Sequence, residues 1–125
     1  MLAFSSNLRY FIATAPTDMR KGFDGLAGIV RNQLEKDPAS GAVFVFLNKS
    51  RTQTKLLFWD GDGLAVFHKR LERGRFAPQD PRAPHRELKR EELLMLLEGL
   101  SFAGMKQGKR FSLPQKQVAS LEKKQ

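Results

Sequence analysis

AVFVFLNKSRTQTKLLFWDGDGLAVFHKR (residues 42–70) holds three β-prone runs in close succession. The first two, AVFVFLN at 42–48 and TKLLFWD at 54–60, are joined by the polar stretch 49–53 and predict a hairpin. Val43, Val45 and Leu47 fall on one face of the first strand and Phe44 and Phe46 on the other. A strand apolar on both faces suits a central position covered on both sides. Asp60-Gly61-Asp62-Gly63 is a tight turn, because glycine accepts positive φ and Asp bonds its own backbone. A third strand of the meander follows at 64–71.

Upstream, LRYFIAT at 8–14 is a further strand, ended by Ala15-Pro16. Asp18 can cap a helix or turn. Phe23, Leu26, Ile29, Val30 and Leu34 then trace the apolar side of a helix over 22–36, stopped by Asp37-Pro38-Ala39-Ser40-Gly41. Gly25 and Gly28 weaken that helix, so they are expected to allow close packing on the sheet. Downstream, Pro78, Pro81 and Pro84 break the chain. The segment from His85 to Leu100 then reads as a second helix, with Leu93, Leu96, Leu97 and Leu100 on one face. The expected class is α+β: a small antiparallel meander with one helix packed on it and a second near the C-terminus. Residues 1–100 form one domain in this reading, and 101–125 a basic, partly disordered or marginally helical tail.

Charge is the strongest compositional signal. Lys and Arg number 22 against 13 Asp and Glu, a net charge of +9. Residues 1–40 carry 5 basic and 4 acidic groups, 41–80 carry 7 and 4, and 81–125 carry 10 and 5, so the excess grows toward the C-terminus. Such a field concentrates polyanions, and nucleic acids are the densest of these. A protein partner, a merely solubilising surface or anionic lipid would also fit a basic chain. Cysteine is absent, which removes disulfides, thiolate metal sites and cysteine nucleophiles. No apolar run approaches the length of a membrane span, and MLAFSSNLRY does not read as a secretory signal. A cytoplasmic setting without membrane contact is expected.

Catalytic signatures are missing. The sequence has no phosphate loop, no dinucleotide fingerprint, no nucleophile elbow and none of the standard zinc-finger, basic-zipper or RNA-recognition motifs. His68 and His85 lack zinc-ligand spacing. Asp60 and Asp62 are a conceivable Mg²⁺ pair, but a turn demands the same residues and no third ligand is near in sequence. No catalytic residue, metal or cofactor is expected.

A set of cations around the strand ends remains: Arg20, Lys21, Lys49, Arg51, Lys55, Lys69, Arg70, Arg73 and Arg75. If those ends face one way, they form a phosphate-binding surface, with Trp59, Phe67 or Phe76 available for packing or base stacking. The ordinary fate of such aromatics is the core, and of such cations a solvated rim.

Read together, IATAPTDMRKGFDGLAGIV (12–30) and DPASGAVFVFLNKSRTQTKLLFWDGDGLAVFHKRLERGRF (37–76) resemble the TnpB-type accessory proteins of the insertion-sequence sixty-six family of bacterial transposable elements. These are the products of the element's second open reading frame. The helix ending LLMLLEGL (93–100) is similar to that family's closing helix. Matched motif positions include Asp18, Met19, Arg20, Lys21, Gly22, Lys55, Trp59, Asp60, Gly61, Asp62, Gly63, Lys69, Arg70, Leu71, Gly74 and Phe76, none with assigned chemistry. The resemblance implies a non-catalytic helper of transposition whose partners are DNA and the element's separate transposase. Two other readings compete with direct DNA binding. One is a module docking on the transposase through the Leu93-Leu96-Leu97-Leu100 face or the basic tail. The more remote one is a metal-dependent nuclease at Asp60 and Asp62.

Overall fold

The computed structural model describes Ser5 and residues 7–99. Five strands and two helices follow in the order β1 (Tyr10–Ala13), α1 (Phe23–Asn32), β2 (Val43–Leu47), β3 (Gln53–Trp59), β4 (Leu64–Arg70), β5 (His85–Leu88) and α2 (Arg90–Leu97). They build one sheet in the order β4-β3-β2-β1-β5. The β2-β3-β4 meander is antiparallel, with Val45 opposite Leu56 and Leu56 opposite Phe67. β1 lies parallel to β2, because the crossing through α1 carries the chain from the end where β1 finishes back to the end where β1 began.

The two-faced pattern of β2 becomes two cores. Val43, Val45 and Leu47 join Tyr10, Ile12, Leu56, Phe76 and the α2 leucines Leu93, Leu96 and Leu97. Phe44 and Phe46 join Phe11, Leu57 and the α1 residues Leu26, Ala27, Ile29 and Val30. The α2 leucines are therefore core. Leu93, Leu96 and Leu97 are spent on the sheet, which removes them as a docking face for a partner. Leu100 and the tail 101–125 lie outside the described residues. No helix among the described residues is long and apolar enough to cross a membrane.

Three sequence expectations change. The helix expected over 85–100 is a strand followed by a shorter helix, since His85–Leu88 pairs antiparallel with β1. β1 is buried along its whole length and bonds β2 on one side only, so its other backbone groups require a partner strand. The helix expected over 22–36 stops at Asn32; Leu34 still packs into the core, and Glu35 takes a left-handed φ of 55° as the chain turns away. Gly25 and Gly28 do not serve close packing on the sheet. A Cβ at Gly25 would meet the Lys21 side chain at 3.0 Å, and one at Gly28 would meet nothing within 4 Å. Gly28→Ala is accordingly expected to raise the unfolding free energy by about 0.5–1 kcal/mol, measured by urea titration.

β4 and β5 occupy opposite edges, so residues 71–84 must cross the end of the sheet, a span of four strand spacings or about 19 Å. Pro78, Pro81 and Pro84 keep this crossing extended. Its far end is fixed where Thr14 N–H donates to the Pro84 carbonyl at 3.1 Å and the Thr14 hydroxyl donates to Ala83.

His85, at the start of β5, stands edge-on to Phe11 with ring centroids 5.6 Å apart. Its Nδ1 is buried and has no hydrogen-bond partner among the described residues. Burial and then Lys36 hold its pKa below the usual 6.5, partly opposed by Glu87. The fold thus favours neutral His85, and its contribution is complete above pH 6.5 and lost as pH falls from there toward the lowered value. His68 shifts the same way. Thermal midpoints measured from pH 7 to 5 are expected to fall, and to fall less in His85→Phe, which keeps the aromatic contact and removes one titration.

Candidate nucleic-acid interface

β1, β2 and β4 finish at the same end of the sheet, and β3 and β5 begin there. The hairpin loop 48–52, the segment 14–22 leading to α1 and the crossing 71–84 therefore converge on that end. Thr17 N–H donates to the Leu47 carbonyl at 2.8 Å, Leu71 N–H to Thr52 at 2.8 Å and Phe76 N–H to Arg51 at 2.7 Å. Eight of the nine candidate cations belong to these loops or to the adjoining last residues of β4, and Lys55 lies two residues into β3.

Local chemistry shapes the hairpin loop. The Asn48 carboxamide oxygen accepts from the amides of Thr52 and Gln53, both at 2.9 Å, while its nitrogen donates to Ser50 and Thr52. This closed ring of bonds leaves Lys49 outside, exposed at the tip. Arg51 adopts a left-handed φ of 58°, and its guanidinium donates to the Phe76 carbonyl at 3.0 Å. With the Phe76 amide bonding back to Arg51, the basic crossing is stapled to the hairpin. Gly74, at φ 73°, supplies the turn between exposed Arg73 and Arg75.

The nine cations divide by what they already hold. Arg51, Lys55 and Lys69 are structural: Lys55 Nζ donates to the Lys21 carbonyl at 2.8 Å, and Lys69 Nζ to the Leu97 carbonyl at 2.6 Å, capping the last turn of α2. Arg20 and Arg70 are exposed but paired with Asp18 at 2.7 Å and Glu72 at 3.2 Å. Arg20 holds the Asp18 carboxyl at a pKa of about 2, first through side-chain hydrogen bonds and then through its backbone amide. Lys21, Lys49, Arg73 and Arg75 form no ion pair or side-chain hydrogen bond among the described residues. These four are the cations ready for an anion at no cost of breaking a contact.

A groove of about 610 Å³ between residues 16–19 and 48–50 runs past Lys49, and a second of about 260 Å³ passes between the same loop and Pro78, Gln79 and Pro81. Arg82, paired with Asp80, adds a cation to this end that the sequence had not singled out, since it sits among prolines away from any strand. Phe76 is fully buried and unavailable for stacking. Trp59 and Phe67 are 38% and 37% exposed, but Trp59 lies at the other end of the sheet.

Asp60 and Asp62 also lie at that other end, in the exposed β3–β4 turn where Asp60 N–H bonds the Gly63 carbonyl at 2.8 Å. Asp18 and Asp24 belong to the opposite end, and no group of three His, Asp or Glu side chains among the described residues could hold a metal ion.

A family model described as IS66 Orf2 like protein matches residues 8–107. Two proteins of Sinorhizobium fredii are similar, both carrying only uncharacterized names. The protein called y4jC is 34% identical over 85% of this chain and 91% of its own length, and y4hO is 38% identical over 82% and 89%. No solved structure matches. The span of the family match and the depth of both likenesses agree with the motif blocks, and the chain belongs to the IS66 Orf2-like family, accessory proteins of that insertion sequence's transposition.

Proposed function

We propose that the protein is a non-catalytic DNA-holding factor that grips element DNA through its phosphates, using the end of the sheet where three loops meet. The observation that supports this reading is the gathering there of Lys21, Lys49, Arg73 and Arg75, all exposed and unpaired among the described residues. Backbone contacts of this kind position a protein on duplex DNA without reading its sequence. The strand-cleaving chemistry then belongs to the element's separate transposase, which is the expected protein partner, and a DNA ligand places the protein in the cytoplasm. The exposed, paired Arg20 and Arg70 can exchange a carboxylate for a phosphate at small cost, because ion pairs in water contribute little.

Titration of the full chain onto a DNA duplex over a series of salt concentrations tests the proposal. Log affinity is expected to fall linearly with log salt, by about 0.9 for each phosphate neutralised. Tight binding indifferent to salt, or no binding at low salt, would overturn it.

A further inference from the structure

Among the described residues the sheet has two free edges of unlike character. β5 is four residues long, preceded by a proline-rich crossing. β4 is seven residues long and carries Phe67, one of the exposed large aromatics. Along β4 the hydrogen bonds toward β3 fall on the odd-numbered residues, since the flanking pairs Asp60–Gly63 and Leu71–Thr52 are bonded and the ladder alternates. The amides and carbonyls of Leu64, Val66, His68 and Arg70 consequently point away from the sheet, with no strand beside them among the described residues. Such an edge is a template for another strand unless charge or shape blocks it.

The charge along this edge favours one occupant. Asp60 and Asp62 stand at its beginning, and Lys69, Arg70 and Arg73, against the single carboxylate of Glu72, at and beyond its end, so the far end keeps a net positive charge. Two copies laid antiparallel bring each acidic turn beside the other's basic end, whereas a parallel pairing would set like charges together. We infer that β4 is the contact edge of a homodimer, formed by antiparallel β4–β4 pairing about a two-fold axis, with the two Phe67 rings packing near the axis. Each contact then occurs twice, as a closed isologous interface requires. The net charge of +9 per copy opposes association at long range, but that repulsion is screened beyond about 8 Å at physiological salt, leaving the local complementarity. The interface is separate from Lys49 and Arg75, and shares with the basic end Lys69, Arg70 and Arg73.

Sedimentation equilibrium of the full chain without DNA reads the outcome. The expected result is twice the monomer mass at high concentration. Phe67→Lys and His68→Pro are each expected to weaken association by about tenfold or more, the second because it removes an outward amide while leaving the backbone bonds to β3 in place and giving up only the exposed side-chain bond to Gln53. Circular dichroism confirms that each variant is folded. A third comparison does not depend on either substitution. Asp60→Lys with Asp62→Lys, and Arg70→Glu with Arg73→Glu, should each weaken self-association, while mixing the two proteins restores a dimer because both ends then meet opposite charge. A monomer at every concentration overturns the inference, as does a dimer that ignores both edge substitutions or a charge-swapped pair that fails to associate.

Discussion

Phe76→Ala is expected to lower the unfolding free energy by about 3–5 kcal/mol, a large part of the 5–15 kcal/mol that holds a domain of this size. Phe76 is fully buried among Tyr10, Leu56 and the α2 leucines, although it stands in the crossing loop rather than in a strand or helix. Removing its ring leaves a cavity between sheet and α2 that rigid strands cannot close. The same change frees the crossing. Phe76 donates to and accepts from Arg51, so an unanchored residue 76 loosens the bonds that hold Arg73 and Arg75 beside the hairpin. Urea unfolding gives the first effect, and faster hydrogen exchange at the Phe76 amide the second. Arg51→Ala separates them: it deletes one bond to the crossing and leaves the core full, with an expected loss of about 0.5–1.5 kcal/mol. A loss below 1 kcal/mol in Phe76→Ala would show that the crossing is not held by its aromatic anchor.

The central hairpin was legible because its signals are local: period-two alternation, a polar loop of five residues and a glycine turn all lie within 42–70. The double core was legible for the same reason, from Val43 and Phe44 pointing opposite ways. β5 was not. HRELKREELL reads as a helix on propensity, and what overrides it is the unpaired side of β1, more than seventy residues away. The convergence of the basic loops was only conditional in the sequence, because it depends on β1 running parallel to β2 and on the crossing from β4 to β5. Sorting the cations was out of reach altogether. Lys55 and Lys69 look like any strand-end lysines, and only the positions of the Lys21 and Leu97 carbonyls show that they are structural.

That sorting gives the second large effect. Replacing Lys49, Arg73 and Arg75 together with Ala is expected to leave stability within about 0.5 kcal/mol, since all three are exposed and without ion pairs or side-chain hydrogen bonds among the described residues. Duplex affinity should change far more. If each side chain neutralises one phosphate, the slope of log affinity against log salt becomes shallower by about 2.7, and the loss at 0.15 M salt is about 100-fold, vanishing near 1 M. Bulk charge alone would weaken binding too, so a matched triple is needed: Arg31→Ala, Lys36→Ala and Lys89→Ala remove the same charge near the opposite end of the sheet. A field acting from the whole surface predicts equal losses for both triples. Phosphate contact at the converging loops predicts the steep loss only for the first, and the change in slope only for the first. Lys69→Ala and Lys55→Ala should divide the other way, lowering stability through the carbonyls they abandon while changing the salt slope little.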